Sequence, residues 1–428
     1  MIVAEGNLVI VHGRFSGFGA RASWIAADIL VMEEGVLVEH WDVIQDEATR
    51  AQSKSGNPMF GSSFPGIGTS ATSTAGFRPA VKPQTVSNER SFLMRQLQLI
   101  AHGEPSEVIE LNTISEPALG QEEVLISMEA APLNPSDFLF VSGKYGVRPT
   151  FPSLVGAEGV GRVAKIGSKV DPALRGRRVL ILPTYEQGTW ADEVVAPVRN
   201  LVPMSDEADP LQLSMIGINP ATAYLLLNRY VSLMPGDWIG QTAANAAMGQ
   251  YIIALAKLAG VKTLNVVRRE EAAEQVREWG GDRVVVQSDN LQKDIEETLD
   301  GKKLSLVLDT VGGTPVGELA KSLKPGGSIV VYALQSGQFP AISPGDLIYR
   351  GLSLHGFWLI NWIRNAPSIE IQEIYQKLGD LVADGSLAAA VDHVYPLDQF
   401  KEAFKQSLQS NRSGKILFKF GATDVISK

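Results

Sequence analysis

Two short stretches of small residues have the composition of a phosphate-binding turn: GAEGVG at residues 156–161 and TAANAAMG at residues 242–249. A dinucleotide loop needs a strand before it and a helix after it, because the free N–H groups at the helix N-terminus bind the pyrophosphate. The first stretch is followed by RVAKIGSKV, which alternates like a strand. The second follows DWIGQT and leads into GQYIIALAKLAG, whose apolar residues have helical spacing. We therefore predict nucleotide binding at the second stretch; the alternative is a turn kept small only for packing.

Two arginines at the end of the next predicted strand indicate which nucleotide binds. The strand TLNVV ends in Arg268 and Arg269, where an NAD site would have an Asp or Glu for the ribose 2′-OH. Guanidinium groups instead suit a 2′-phosphate, through charge-assisted hydrogen bonds. Glu270 and Glu271 fit better as acids in the first turn of the following helix. The pattern favours NADPH over NADH; the alternative is two solvated arginines at a helix start.

Strands and helices alternate around this loop, from about residue 218 to 360. The predicted strands are DWIGQT, KTLNVV, RVVVQ, LSLVLDT, GSIVVYA and LSLHGFW. The helices between them include GQYIIALAKLAG, EEAAEQVREWG and TPVGELAKSLKPGG. Six strands with crossover helices predict an α/β fold with a doubly wound parallel sheet, whose carboxyl edge would bind the cofactor.

The segments on either side of this predicted Rossmann domain (218–360) are rich in strands. Short strands with turn signals fill residues 91–217, and the tail, 361–428, has two helices and two strands that we expect to return to that β-rich domain. Residues 1–62 also predict strands, with a hairpin turn at EEG (33–35). Residues 63–90 are rich in Gly, Ser, Thr and Pro, which predicts a flexible linker.

Composition excludes several functions. The chain of 428 residues has a net charge of −9, which argues against a nucleic-acid or anionic-membrane partner. It has no cysteine and five scattered histidines, so we predict no metal site. No apolar run approaches the length of a membrane span. The first residues resemble neither a signal peptide nor a transit peptide, so we expect a cytoplasmic protein.

The order of these domains resembles the medium-chain dehydrogenase/reductase superfamily over about residues 91–420. The resemblance implies a β-rich GroES-like catalytic domain followed by a Rossmann domain. In zinc alcohol dehydrogenases of that superfamily, the stretch matching GAEGVG carries a histidine ligand before the glutamate, where this chain has Ala157 and then Glu158. The cysteine ligands are absent as well. The resemblance therefore implies a zinc-free member, and we expect Glu158 to be structural.

Several motifs resemble the 2-enoyl thioester reductases among the zinc-free members. LNPSDFLFVSGKYG (133–146) is similar to the segment whose tyrosine in Gly-x-Tyr-Gly is catalytic, which corresponds to Tyr145. GTWADE (188–193) and INPATAY (218–224) match in form and position. GFWLINW (356–362) discriminates best, because quinone reductases usually lack its Phe-Trp-Leu.

The resemblance also implies site residues. It makes Tyr145 and Thr222 the candidate catalytic residues and places Asn219 beside Thr222, near the nicotinamide. Ala247 departs from the fingerprint, which often has glycine there, but this touches only a backbone contact. Phe357 and Trp358 could instead be core aromatics, and Lys415 a surface charge. The implied cofactor-binding residues are Asn219, Asn245, Ala246, Ala247, Met248, Arg268, Arg269, Tyr332, Ala333, Leu334, Gln335, Phe357, Trp358, Leu359 and Lys415.

The implied reaction is NADPH-dependent reduction of the C2=C3 double bond of a 2-enoyl thioester, carried by CoA or acyl carrier protein. Tyr145 would supply the α-proton or stabilise the enolate, because a neutral phenol donates at pH 7 without a metal. One alternative is a quinone or alkenal reductase on the same scaffold. Another is a non-catalytic NADPH-binding protein with an N-terminal interaction module. A homodimer is expected because members of this superfamily are commonly dimers.

The first 62 residues have a resemblance of their own. HGRFSGFG and ADILVMEEGVLVEHWDVIQDE are similar to the C-terminal strands of SnoaL-like cyclases, in the nuclear-transport-factor-2-like fold. Such domains are about twice as long and have helices that are missing here. The resemblance therefore implies a partial α+β module that serves as an oligomerisation surface rather than a catalytic site with His12, Asp28, His40 or Asp42. Related reductases serve mitochondrial fatty-acid synthesis, so a mitochondrial location is the alternative to the cytoplasm.

Overall fold

A computed structural model describes residues 93–333, 335–409 and 414–421 in full, together with the backbone of 2–5, 8–15, 24–33 and 36–46. The chain divides into two compact units, residues 1–88 and 89–428.

The first unit contains an antiparallel sheet of four strands in sequence order. Three of its strands match the predicted segments, and the short β1 was not predicted. Three predicted features lie outside the described residues: residues 34–35 of the expected hairpin turn, the linker 63–90, and the side chains of His12, Asp28, His40 and Asp42. The strands are β1 (Ile2–Glu5), β2 (Leu8–Phe15), β3 (Trp24–Glu33) and β4 (Val36–Asp46).

The second unit contains the remaining strands and all the described helices. Its strands are β5 (Leu93–Leu99), β6 (Ile109–Ser115), β7 (Glu123–Pro132), β8 (Ser153–Leu154), β9 (Gly159–Ile166), β10 (Arg178–Ile181), β11 (Glu193–Pro197), β12 (Leu201–Pro203), β13 (Trp238–Thr242), β14 (Lys262–Val267), β15 (Arg283–Val286), β16 (Leu304–Asp309), β17 (Leu323–Val331), β18 (Ser353–Gly356), β19 (Val391–Tyr395) and β20 (Lys415–Lys419). Its α-helices are α1 (Pro105–Val108), α2 (Pro135–Val141), α3 (Pro210–Leu213), α4 (Asn219–Arg229), α5 (Ala247–Leu258), α6 (Glu270–Glu278), α7 (Leu291–Leu299), α8 (Gly313–Lys321), α9 (Pro344–Tyr349), α10 (Leu359–Asn365), α11 (Ser368–Ala383) and α12 (Phe400–Ser407). Short 3₁₀ helices cover Pro172–Leu174, Val198–Asn200 and Leu397–Gln399.

The predicted six-stranded parallel sheet is present, in the order β15-β14-β13-β16-β17-β18. The order reverses between β13 and β16, which is where doubly wound sheets bind their ligands. One predicted boundary was wrong: α8 ends at Lys321 and LKPGG belongs to β17, not to the helix. Pro325 explains this, because proline lacks an N–H and drives the residue before it into an extended conformation.

The tail returns to the β-rich part, as predicted. That part has a sheet in the order β12-β10-β9-β7-β20-β19, with β11 also paired to β7, and a three-stranded sheet β6-β5-β8. Trp190 lies at the centre of its core, with Phe404 and Phe418 from the tail at ring-centroid distances of 5.3 and 5.7 Å. The tail is therefore an integral part of the β-rich core. Across the described ranges, no helix combines the length and apolar character needed to cross a bilayer.

Candidate active site

Tyr145 and Trp358 meet in a direct hydrogen bond. Tyr145 lies in the turn that follows α2, and Trp358 follows β18 at the start of α10. The indole Nε1–H donates to Tyr145 Oη over 3.0 Å, and the two rings pack edge to face with centroids 5.9 Å apart. A Cβ on Gly146 would lie 3.0 Å from Trp358 Cη2, a tight contact, so glycine at that position favours the close approach of the turn to the indole. Two residues that the sequence suggested separately thus form one structural pair.

This hydrogen bond determines what the Tyr145 hydroxyl can do. An indole N–H only donates, so the phenolic oxygen is the acceptor and its own proton remains available to another group. Burial raises the pKa of Tyr145, the bond from Trp358 lowers it, and the carboxyl of Asp137 raises it. With the pKa above its ordinary value, Tyr145 is a neutral acid near pH 7. The pair therefore presents a neutral proton donor.

A buried polar cluster lies beside the pair, formed by Asn134, Asp137, Glu158 and Lys415. Asn134 Nδ2 donates to Glu158 Oε1 over 2.8 Å, and Lys415 Nζ donates to Asn134 Oδ1. Lys415 is 5 % exposed, so the alternative of a surface charge was wrong. Burial raises the pKa of Asp137 to about 7 and that of Glu158 to about 7, while the Lys415 ammonium opposes both changes. One buried cation thus faces two carboxyl groups that hold their protons unusually tightly.

The second oxygen of Glu158 links this cluster to α4. Glu158 Oε2 accepts the backbone N–H of Ile218 over 2.8 Å, immediately before Asn219 and one turn before Thr222. Tyr375 Oη donates to the carbonyl of Gly217 over 2.7 Å, which fixes the same turn from α11. The start of α4 is therefore held by side chains from the β-rich part and from the tail.

The other candidate residues lie along the carboxyl edge of the parallel sheet. Arg268 and Arg269 follow β14, the 243–246 loop follows β13, Tyr332 and Ala333 follow β17, and Phe357 follows β18. Gln335 continues from β17, with its N–H bonded to the Thr310 carbonyl, and Leu359 is buried at the start of α10. Leu334 lies outside the described residues.

These candidates follow one another across the sheet. Four strand spacings separate the β14 end from the β18 end, a span of about 19 Å. Arg268 and Phe357 are therefore not neighbours. Such a span suits an extended dinucleotide rather than a compact ligand.

The N-terminus of α5 fits a pyrophosphate. No side chain caps it, and no described residue accepts the N–H groups of Ala247, Met248 and Gly249. A Cβ on Gly249 would lie 2.1 Å from the Ala244 carbonyl oxygen, so glycine is needed here for the helix to pack on the loop. Free N–H groups at a helix N-terminus attract anions. The loop thus has the donor set that a phosphate requires.

Arg268 and Arg269 are exposed at the start of α6, and in the fully described ranges neither guanidinium pairs with a carboxylate. Glu270 pairs instead with Arg277, over 2.9 Å. The first acid of that turn is therefore engaged within its own helix. Both arginines remain available for an anionic ligand.

GAEGVG has a structural role between β8 and β9. Its last three residues lie within β9, so the stretch is a strand start as well as a turn. The N–H of Ala157 donates to Asp137 Oδ1 over 3.1 Å, which ties the stretch to α2. Within the described ranges, no group of three His, Asp or Glu side chains could hold a metal ion.

Asn134, Asp137 and Tyr185 were missed as site residues. The first two had a signal, because Asn followed by an acid three positions later predicts a capping box, and the structure has one at the start of α2. Tyr185 had none. Its ring lies 5.4 Å from that of Tyr145, a contact between two separate loops.

Comparison with known proteins is consistent with this architecture. The family described as zinc-binding dehydrogenase matches residues 247–382, and the alcohol dehydrogenase GroES-like domain matches residues 120–206. The fold and these matches define an oxidoreductase, and the chain belongs to the medium-chain dehydrogenase/reductase family. Within that family it is similar to the mitochondrial enoyl-[acyl-carrier-protein] reductase of Rattus norvegicus, with 33 % identity over 72 % of this chain and 84 % of the relative.

Two solved structures share the fold. The Etr1p–NADP–crotonyl-CoA complex has a TM-score of 0.68 and 23 % identity, and the match covers 77 % of this chain and 100 % of that one. A mycobacterial quinone oxidoreductase has a TM-score of 0.69 and 23 % identity, covering 76 % of this chain and 99 % of its own. The fold alone is therefore common to both reductase types.

Proposed function

We propose that the protein reduces the C2=C3 double bond of 2-enoyl thioesters with NADPH. The observation that carries this proposal is the Trp358–Tyr145 hydrogen bond, which leaves a neutral phenolic proton free beside the carboxyl edge of the sheet. The similarity to enoyl-[acyl-carrier-protein] reductases, by name enzymes of the same substrate class, supports it.

The candidate cofactor residues fit NADPH. Among the described residues, the N–H groups at the start of α5 have no acceptor, which suits the pyrophosphate, and the guanidinium groups of Arg268 and Arg269 pair with no carboxylate, which suits a 2′-phosphate. Asn219, Thr222, Tyr332 and Phe357 are proposed to line the nicotinamide end. When bound there, NADPH supplies the hydride that the reduction needs.

The chain's own residues would control the proton. As negative charge develops on the thioester enolate, the O–H of Tyr145 breaks and a C–H bond forms at C2. The Nε1–H of Trp358 then stabilises the phenolate that Tyr145 becomes, since a hydrogen bond to a charged oxygen is stronger than one to a neutral oxygen. The buried cluster around Glu158 would hold the start of α4, and with it Thr222, against the β-rich part.

Lys415 is proposed to act from within this cluster. Its buried side chain donates a hydrogen bond to Asn134. In the same cluster, Glu158 accepts the backbone N–H of Ile218 at the start of α4. A cation at this position would favour negative charge nearby, including that of the enolate. The resemblance to the enoyl reductases first suggested Lys415 as a site residue.

The substrate test is a screen of NADPH oxidation by the full chain. We expect turnover with crotonyl- and hexenoyl-CoA, or with the matching acyl carrier protein thioesters, and little with quinones or alkenals. Turnover of quinones alone would favour the quinone reductase alternative, whose fold the mycobacterial structure shares. NADPH binding by fluorescence without oxidation of any activated alkene would favour the non-catalytic alternative.

The remaining organisation is also proposed. We divide the chain into an N-terminal module (1–62), a linker (63–90), a catalytic domain (91–217), a Rossmann domain (218–360) and a returning tail (361–428).

A homodimer is supported by β18, which is an edge strand of the described sheet, with Leu354 44 % exposed. The SnoaL-like origin of the first module, the absence of zinc and the cytoplasmic location stay proposals. The names of the relatives favour the mitochondrion over the cytoplasm.

A further inference from the structure

Tyr185 is a second tyrosine beside Tyr145. Its ring centroid lies 5.4 Å from that of Tyr145 and 4.9 Å from that of Phe140. Its hydroxyl is buried and makes no hydrogen bond of normal geometry with any described residue, although the hydroxyls of Tyr145 and Ser136 lie close enough to shift its pKa. Buried hydroxyls nearly always have a partner, so this one requires an explanation.

The backbone of Tyr185 adds a second observation. Its φ is +62°, in the left-handed region that bulky residues avoid. The neighbouring side chains hold this turn: Asn200 Nδ2 donates to Thr184 Oγ1 over 3.1 Å and to Gln187 Oε1 over 2.9 Å. Such strain persists only where the surroundings enforce it, and it concentrates at functional sites. Here the enforced turn directs the Tyr185 ring onto Tyr145.

Tyr145 Oη can accept a hydrogen bond from the Tyr185 hydroxyl, whose interaction lowers the pKa of Tyr145. A phenolic oxygen can accept two hydrogen bonds, and Trp358 provides only one. We propose that Tyr185 is a positioning residue that donates its O–H to Tyr145 Oη when Tyr145 loses its proton, an assignment that rests on the proposed function for its role in turnover. Tyr185 thereby stabilises the phenolate that remains.

The protons balance without a further reactant. Tyr145 O–H breaks as C2–H forms, Tyr185 and Trp358 keep their own protons, and Tyr145 regains its proton from water. Burial raises the pKa of Tyr185 well above its ordinary value, and the carboxyl of Asp137 raises it further, so Tyr185 remains a donor. Asp137 is also the carboxyl that faces Tyr145, and Ser136 is the other hydroxyl close to Tyr185.

The test is the ionisation of Tyr145 in the full chain, followed without substrate. Protein labelled with 3,5-difluorotyrosine, whose phenol ionises nearer neutral pH, is titrated by ¹⁹F NMR. The Tyr145 signal is the one that Tyr145→Phe removes. In Tyr185→Phe we expect its midpoint to rise by about one pH unit, the tenfold change that one hydrogen bond to a charged oxygen supplies. An unchanged midpoint would overturn the assignment.

A matched control is Tyr395→Phe, which removes a tyrosine hydroxyl that bonds Gln406, between β19 and α12. It should leave the midpoint of the Tyr145 titration unchanged.

Kinetics then separate the two proposals. If Tyr185→Phe lowers kcat for crotonyl-CoA about tenfold at constant KM for NADPH, both stand. If the midpoint moves but wild-type protein reduces no enoyl thioester, the proposed function fails and the Tyr185–Tyr145 pairing remains.

Discussion

Trp358 donates its indole N–H to the hydroxyl of Tyr145 across 3.0 Å, although 213 residues separate them in the chain. One partner belongs to the turn after α2, the other to the end of the parallel sheet. The bond therefore forms only when both parts of the second unit are folded and correctly docked. The proposed proton donation by Tyr145 would thus be coupled to the arrangement of the two parts.

Replacing Tyr145 by phenylalanine should lower kcat for crotonyl-CoA by about 100-fold or more, because general acid catalysis by a positioned side chain contributes on that order. NADPH affinity should be nearly unchanged, since the ring and its packing remain. Steady-state kinetics and NADPH fluorescence measure the two effects. Wild-type turnover in this variant would remove Tyr145 from the mechanism.

Trp358→Phe should move the alkaline limb of the kcat profile to higher pH. In the proposed mechanism Tyr145 acts in its protonated form, so we expect activity to be lost as pH rises through its pKa. The bond from Trp358 lowers that pKa, and its removal therefore raises it. We expect about a tenfold loss of kcat at pH 7, measured alongside the pH profile. An alkaline limb at the wild-type pH would mean that the indole of Trp358 does not influence the proton of Tyr145.

The double variant Arg268→Ala, Arg269→Ala should weaken NADPH by about 100-fold and leave NADH nearly unaffected, because only NADPH carries the 2′-phosphate. Titration calorimetry with both nucleotides measures this. Arg277→Ala is a suitable control, since Arg277 pairs with Glu270 on the same helix. Equal losses for the two nucleotides would contradict the 2′-phosphate assignment.

Stability should fall as pH rises from about 4.3, the ordinary pKa of glutamate, to about 7, the raised pKa of buried Glu158. A carboxyl with a raised pKa binds its proton more tightly in the folded state, so its contribution is complete at low pH and is lost on ionisation. Glu158→Gln should therefore flatten the dependence of Tm on pH, as followed by scanning calorimetry.

The control for this variant is Glu186→Gln, a substitution at an exposed ion pair with Arg199. It should keep the wild-type dependence of Tm on pH, because surface pairs contribute little. If Glu158→Gln also keeps it, the carboxyl does not carry the expected proton.

Leu354→Lys should convert a dimer to monomers. Leu354 lies on β18, whose outer edge pairs with no other strand in the described ranges, and a charge on an edge strand prevents strand pairing between copies. Light scattering after size exclusion would report the mass. A wild-type protein that is already monomeric would refute the proposed homodimer.

Local periodicity was enough to predict the parallel sheet. β13 and α5 are predictable because strand and helix spacing change at the loop between them. The LKPGG boundary failed because helical apolar spacing continues into a segment where proline prevents a helix.

The site was only partly predictable. Tyr145 and Trp358 were identified through motifs, but their hydrogen bond depends on tertiary packing that no spacing encodes. The burial of Lys415 could not be predicted from the sequence, because a lysine before a strand is ordinarily exposed, whereas this one is buried and bonded to Asn134. Tyr185 depends on a left-handed backbone that its neighbours impose.

The last strand has a consequence for biosynthesis. β20 pairs with Ala130–Pro132 of β7 and also carries Lys415 into the buried cluster. A ribosome adding 5–20 residues per second needs tens of seconds to travel from one partner strand to the other. During that interval residues 130–132 of β7 lack their partner strand β20. The carboxyl groups of Asp137 and Glu158 also lack the Lys415 ammonium. The β-rich part and its buried cluster can therefore be completed only after β20 has been translated.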